Sequence, residues 1–326
     1  VYYGLRGLSL TRFLIGAGGW AYFQVPGLDP LVAYSKAFNF VEVNSTYYEI
    51  PNLRFVESWR RKVPPHFQFA VRCHRGLTHK YKLEPTEEAY RVLNEMIKIC
   101  GTLRADILHM QTPLTLSFTK SKIDSIRGLL HSVDLRGVRI AWEVRQAKAE
   151  PLSPDLIKLM QDHNLVHCVD ISREDPAFKS DILYTRLFGK GFHNIYQFTD
   201  EELKEIDEKV TKKDYETAAL CFHGVKMYKD AARFKVYKQT GKFPMVTKST
   251  DLSSLREVLS EDARFPSTKQ QLLLHQGWKM IDLTETKRVH ASEALEKLPE
   301  QTYRSVEQVI QTLSNTIGRA SGSPSM

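Results

Sequence analysis

Cysteine is scarce, with four residues in a chain of 326. Cys73, Cys100, Cys168 and Cys221 lie far apart and form no C-x-x-C pair, which argues against a disulfide framework and a zinc knuckle and leaves reduced core thiols. Long apolar runs are missing as well: nothing approaches the roughly 20 residues that a membrane span requires. The apolar N-terminal stretch is broken by Arg6 and Arg12 before any cleavage-like region, so a cytoplasmic protein with no membrane partner is expected. There is no H-E-x-x-H and no G-x-S-x-G, which removes two common hydrolase patterns. The glycines of the GAGGW segment do not have the G-x-G-x-x-G spacing of a dinucleotide fold, and no acidic residue follows at the right distance.

What is present describes a folded chain, with 42% hydrophobic, 10% aromatic and 26% charged residues. The formal charge of +8 favours anionic partners through long-range attraction, although modest basicity is also common in proteins that never meet nucleic acid.

Short β-rich runs alternate with longer segments of helical period, the pattern of parallel βαβ units. Eight such runs are expected as strands: 13–16, 40–44, 67–72, 107–111, 139–143, 166–170, 183–187 and 218–222. Eight is the number that closes a β/α barrel. Helices are expected at 29–37, 53–62, 86–100, 121–131, 153–162, 200–212 and 230–239. Thr86 before two glutamates and Ser153 before a proline are good start signals. Between Asp170 and Leu183 the turn-rich SREDPAFKSD stretch predicts an irregular crossover.

Side chains alternate along a strand, so every second residue of a barrel strand points inward. On the second strand this places Glu42 and Asn44 on the face opposite Val41 and Val43. The same parity turns inward Arg72 with His74, His109 with Gln111, Glu143 with Arg145, Asp170, Tyr184 with Arg186, and His223. All fall towards the downstream strand ends, where barrel enzymes assemble their sites. The competing reading is a buried salt-bridge network that plugs the barrel.

The strings IGAGGW (15–20), FVEVNSTYYEIP (40–51), FQFAVRCHRGLTH (67–79), Gln111 with Pro113, WEVR (142–145) and YTRLFG (184–189) resemble the YecE-like family, domain of unknown function 72, over roughly residues 13–245. The resemblance implies a closed β/α barrel and supplies no reaction. It also implies a serine or a similar residue near Ala17 or Gly18, a histidine at Phe188 and paired asparagines near Phe222 and His223, from all of which this chain departs. Beyond Pro244 the chain resembles a second small family, domain of unknown function 2795, with two or three short helices. The expected organisation is a barrel over 1–245, a small helical domain over 246–315 and a disordered tail over 316–326, with the helical domain packing on the barrel or on a protein partner.

Glu42, Glu143 and Asp170 are the candidate catalytic carboxylates, each able to serve as acid, base or metal ligand. Arg72, Arg145 and Arg186 offer planar bidentate donors for carboxylate or phosphate, or neutralise the acids. Trp20, Asn44, His74, His79, Gln111 and His223 complete the candidate binding set, with Trp20 and Tyr22 offering either an aromatic face for a sugar or a base or a core aromatic lid. The loop after the third strand adds Arg75, Lys80 and Lys82 near Tyr81, and is either an anion site or a solvated basic loop. His74, His223, Glu42, Glu143 and Asp170 could hold a divalent metal, although none is paired at metal-ligand spacing. Two readings follow. One is a carboxylate-dependent hydrolase or lyase acting on a phosphate-bearing or other anionic substrate. The other is a non-catalytic module that captures nucleic acid or an anionic metabolite.

Overall fold

The computed structural model describes residues 11–146 and 150–320. The chain forms two compact units: one runs up to Leu187 and takes in Ile206–His223, and the other combines Phe188–Glu205 with the chain from Gly224 onward.

The first unit holds eight parallel strands: β1 Arg12–Ala17, β2 Phe40–Val43, β3 Gln68–Arg72, β4 Ile107–Gln111, β5 Arg139–Glu143, β6 Val166–His167, β7 Ile182–Leu187 and β8 Thr217–Phe222. Their order is β6-β5-β4-β3-β2-β1-β8-β7. An isolated bridge between Val169 and Thr185 joins the two ends, so the sheet is a nearly closed barrel. At that seam the Thr185 hydroxyl donates to the Val169 carbonyl (2.7 Å) and accepts from the Ile171 amide (3.1 Å), a side chain standing in for ladder bonds. β6 is two residues long, where a five-residue strand was expected.

Helices α1 Pro30–Ala37, α2 Leu53–Lys62, α3 Glu87–Leu103, α4 Lys120–His131, α5 Pro154–Asp162, α6 Asp200–Lys212 and α7 Met227–Thr240 follow strands in the expected places. Thr86 and Ser153 cap α3 and α5 by accepting from the amides of Ala89 and Leu156. The sixth crossover carries turns and no helix among its described residues, as its sequence indicated.

The barrel interior is layered by strand parity. Leu14, Phe40, Ala70, Ile107, Ala141, Val166, Tyr184 and Ala219 form an apolar floor together with Cys168 and Cys221. Two residues further along the strands, the same faces carry Glu42, Arg72, His109, Glu143, Arg186 and His223. All four cysteines are free and buried.

The second unit contains α8 Asp251–Asp262, α9 Lys269–Gln276, α10 Ser292–Leu295 and α11 Val306–Ala320. It also holds two small antiparallel ladders: β9 Ser267–Thr268 with β12 Thr302–Tyr303, and β10 Met280–Asp282 with β11 Arg288–His290. The sequence suggested helices alone for this part of the chain. Leu255, Leu259, Ala291, Leu295, Tyr303, Val309 and Leu313 form its core. Asp200 binds Arg233 (2.6 Å) and Arg288 (2.8 Å) in a buried ion-pair network. Helix α11 continues to Ala320, past residue 316 where disorder was expected, and the expected tail SGSPSM lies outside the described residues. Among the described residues no helix is long and apolar enough to cross a membrane.

Candidate active site at the barrel mouth

The E-x-N-S-T-Y segment that ends β2 builds one side of the site. Glu42, on the strand, is completely buried. Asn44 leads into a 3-10 turn, Ser45–Tyr47, and its side-chain oxygen accepts from Arg72 Nη1 (2.5 Å). The Thr46 hydroxyl lies 2.8 Å from the Val43 carbonyl and 2.6 Å from that of Arg72, tying the ends of β2 and β3 together. Tyr47 lies under the Arg72 guanidinium, whose carbon is 3.8 Å from the ring centroid.

Arg186 on β7 occupies the centre. It reaches Glu42 through Nε (3.1 Å) and Nη2 (3.2 Å), Glu143 through Nη1 (2.7 Å), and the Gln111 side-chain oxygen through Nη1 (3.4 Å). Its Nε also lies 3.1 Å from His223 Nε2, which in turn is 3.3 Å from Glu42. Tyr184 donates to Glu42 (2.6 Å) and its ring stacks on His109. His109 Nε2 lies 3.2 Å from Glu143, while its Nδ1 has no hydrogen-bond partner and faces Glu42 at 3.6 Å.

These contacts fix the charge states. Burial works to raise the Glu42 carboxyl, but Arg186, with His223 and His109, holds it well below the usual range. Glu143 is likewise held well below that range against burial, by Arg186 and the His109 bond, with Arg145 adding to them. Burial lowers His109, and Arg186 adds to it; the same two causes push His223 down to about 4. Both carboxylates are therefore ionised and both imidazoles neutral at pH 7.

Gln111 joins the two buried arginines, because its side-chain oxygen also accepts from Arg72 Nη2 (2.6 Å). Arg145 Nε donates to the outer oxygen of Glu143 (2.8 Å), and its side chain is 43% exposed against 14% for Glu143. The mouth thus grades from a sealed Glu42 to an accessible Glu143–Arg145 pair.

Of the residues picked out by sequence, Glu42, Asn44, Arg72, Gln111, Glu143, Arg145, Arg186 and His223 form one connected network. His79 joins it through Tyr47, whose hydroxyl is 3.1 Å from His79 Nε2. Three others have more local described contacts. Asp170 accepts from the amide and hydroxyl of Ser172 (3.0 and 2.6 Å) and lies 3.6 Å from Arg173. His74 Nδ1 accepts from the Gly76 amide (3.1 Å), and Trp20 packs edge-on against Trp59. His109 and Tyr184 were placed inward by parity but given no role. Tyr47 was passed over, because it lies in a turn where strand parity does not apply.

Two departures from the resembled family pattern face each other here. A Cβ at Gly18 would overlap the imidazole of His223, so His223 requires glycine at that position.

Two groups of side chains have donor atoms close enough to share a metal: Glu42, Cys221 and His223, and His109, Glu143 and Cys168. Neither is the combination foreseen from sequence. In both, the carboxylate already binds Arg186, and burial raises both thiols well above their usual value, which opposes the thiolate a metal would need. The donor set as it stands fits a guanidinium better than a divalent ion.

Strand order and mouth together define a β/α-barrel protein with a charged site at the C-terminal strand ends. Within that class, the chain belongs to the family described as Protein of unknown function DUF72, whose model matches residues 14–246. The C-terminal segment compared above with a second family lies beyond that match. The UPF0759 protein YunF of Bacillus subtilis is 24% identical over 144 residues, 43% of this chain and 51% of that protein. The chain thus spans about half the length of this curated relative. A DUF72 family protein from Thermotoga maritima superposes with a TM-score of 0.57 at 20% identity, covering 70% of this chain and 99% of that one. One from Enterococcus faecalis gives 0.55 at 17%, covering 69% and 97%. At such identities the likeness establishes the fold alone.

Proposed function

We propose that the protein is an enzyme, a hydrolase or lyase acting on a small substrate that bears a phosphate or another anionic group. The observation that carries this reading is Arg72. The residue is only 7% exposed, yet its hydrogen-bond partners are the neutral Asn44 and Gln111, and its Nε has none. Glu42 and Glu143 are engaged by Arg186, so Arg72, Arg145 and Arg186 set against Glu42 and Glu143 leave one positive charge in excess. A buried cation with no carboxylate in contact is costly even though Glu42 and Glu143 favour its charge from a distance, since burial and Arg186 outweigh them, and an anionic group bound beside Arg72 and Arg145 lowers that cost.

Glu143 is the catalytic carboxylate of this scheme, because it is ionised and stands where the mouth opens. Glu42 positions Arg186 and Tyr184 from below, and His223, in contact with both Glu42 and Arg186, belongs to the same support; Asp170, His74 and Trp20 are assigned to substrate binding in this scheme. Residues 246–315, which contribute none of these groups, serve a protein partner rather than the reaction.

The test begins with thermal unfolding midpoints against phosphates, nucleotides, sugar phosphates, short oligonucleotides and divalent metals, since a ligand that prefers the folded state raises the midpoint. A phosphorylated small molecule is expected to do so. Its turnover should fall by about 10²–10⁴-fold in Glu143→Gln with the fold intact, and full activity of that variant would remove Glu143 from the mechanism. The non-catalytic reading draws on the exposed Tyr22 (84%), Tyr48 (60%) and Phe55 (64%), which could stack bases. It replaces the enzyme if only oligonucleotides raise the midpoint and salt abolishes the effect.

A further inference from the structure

We infer that Tyr47 and His79 form a second proton carrier of the site, a hydroxyl–imidazole pair that protonates the leaving group of a substrate whose anionic group is seated on Arg72. This rests on the reading of Arg72 given above.

A hydrolase or lyase needs a proton donor as well as a base. Glu42 and Glu143 do not fill that place. The inner oxygen of Glu143 takes Arg186 and His109, its outer oxygen takes Arg145, and Glu42 is sealed by Arg186 and Tyr184. Both are ionised at pH 7 and carry no proton to give.

Tyr47 and His79 are placed differently. Both are half-buried, and the Tyr47 ring is fixed by Arg72 above it and by the Thr46 ties before it. His79 lies in a π-helical turn, Gly76–Lys80, whose first three residues are buried. Such turns are uncommon and frequent at functional sites. The imidazole is oriented from both sides: Thr78 Oγ1 lies 2.8 Å from Nδ1, and Tyr47 Oη lies 3.1 Å from Nε2.

The charged groups that bear on His79 are Arg145 after β5, Arg72 on β3 and Arg75 at the head of its own turn. With burial, which contributes most, all three disfavour the imidazolium. An anion between Arg72 and Arg145 cancels that repulsion, so substrate binding draws a proton onto His79. Nδ1–H then donates to Thr78 and Nε2–H to the Tyr47 oxygen, which frees the Tyr47 hydrogen for the ligand. As the bond between the leaving oxygen and its carbon or phosphorus breaks, the electron pair stays on that oxygen. It takes the Tyr47 proton, and the His79 proton moves to Tyr47. The tyrosine ends unchanged and the imidazole neutral, to be reprotonated from solvent when the next substrate binds.

The experiment uses the full chain and inorganic phosphate as probe, following the His79 imidazole by NMR across pH. Phosphate is expected to move the His79 titration upward, and Tyr47→Phe, which keeps the ring under Arg72, should bind phosphate within about twofold while the His79 Nε2 resonance shifts for loss of its partner. With a turned-over substrate, Tyr47→Phe should lower kcat by about 10²-fold or more with KM little changed, and remove the alkaline limb of the kcat profile. Phosphate that binds but leaves the His79 titration unmoved overturns the pair and spares the Arg72 reading. Phosphate that does not bind at all overturns both. A Tyr47→Phe variant with undiminished kcat also overturns the pair.

Discussion

Arg186 makes the largest demand on any single position, because it neutralises two carboxylates that belong to strands more than forty residues away in sequence. Replacing it with methionine keeps much of the volume and strands both charges. Arg186→Met should cost about 3–5 kcal/mol in denaturant unfolding at pH 7. The cost should shrink at pH 5, where the released carboxyls take up protons more readily. A loss under about 1 kcal/mol would mean that the network is loosely held. Gly18 is the second such position: Gly18→Ala must push the His223 ring away from Glu42 and Arg186, at about 1–3 kcal/mol. Denaturant midpoints check both. Strand parity alone was enough to turn Glu42, Arg72, His109, Glu143 and Arg186 inward. It could not pair them, since the Tyr184–Glu42 bond joins residues 142 apart in sequence. It also could not reach Tyr47, whose direction is set by a 3-10 turn.

At the scale of elements, the barrel strands and their helices were legible because each is long enough to show a period and several carry end signals. Ser153 is one of these, and Ser153→Ala should lose about 1 kcal/mol of stability while phosphate binding at the mouth is unchanged. Denaturation and a binding titration on the same variant check the two halves of that statement, and a change in binding would mean that α5 is coupled to the site. The ladders of the second unit escaped sequence reading because strands of two or three residues have no period to detect. The early end of β6 escaped it too, because the seam that follows pairs Val169 with Thr185, a residue of another strand.

For the whole molecule, the buried titratable groups set the response to acid. The unfolded chain protonates His223 near 6.5, whereas the folded protein resists until about 4, so the unfolded state binds more protons between those values. Stability is therefore fully present above pH 6.5 and falls as pH drops towards 4, by roughly 3 kcal/mol from this group. Glu42 and Glu143, whose folded values lie below the ordinary 4.5, add a further loss as pH falls below 4.5. Denaturant midpoints between pH 4 and 8 should show this decline, and a flat profile would contradict the assigned charge states. The mouth is proposed as an anion site built on Arg72, whose hydrogen-bond partners are neutral. That proposal is tested most directly by calorimetric titration of inorganic phosphate into the wild-type chain and into Arg72→Met, with folding of both checked by circular dichroism. Binding by the wild type that is lost in Arg72→Met is the expected result; equal binding by the two, or none by either, would contradict it.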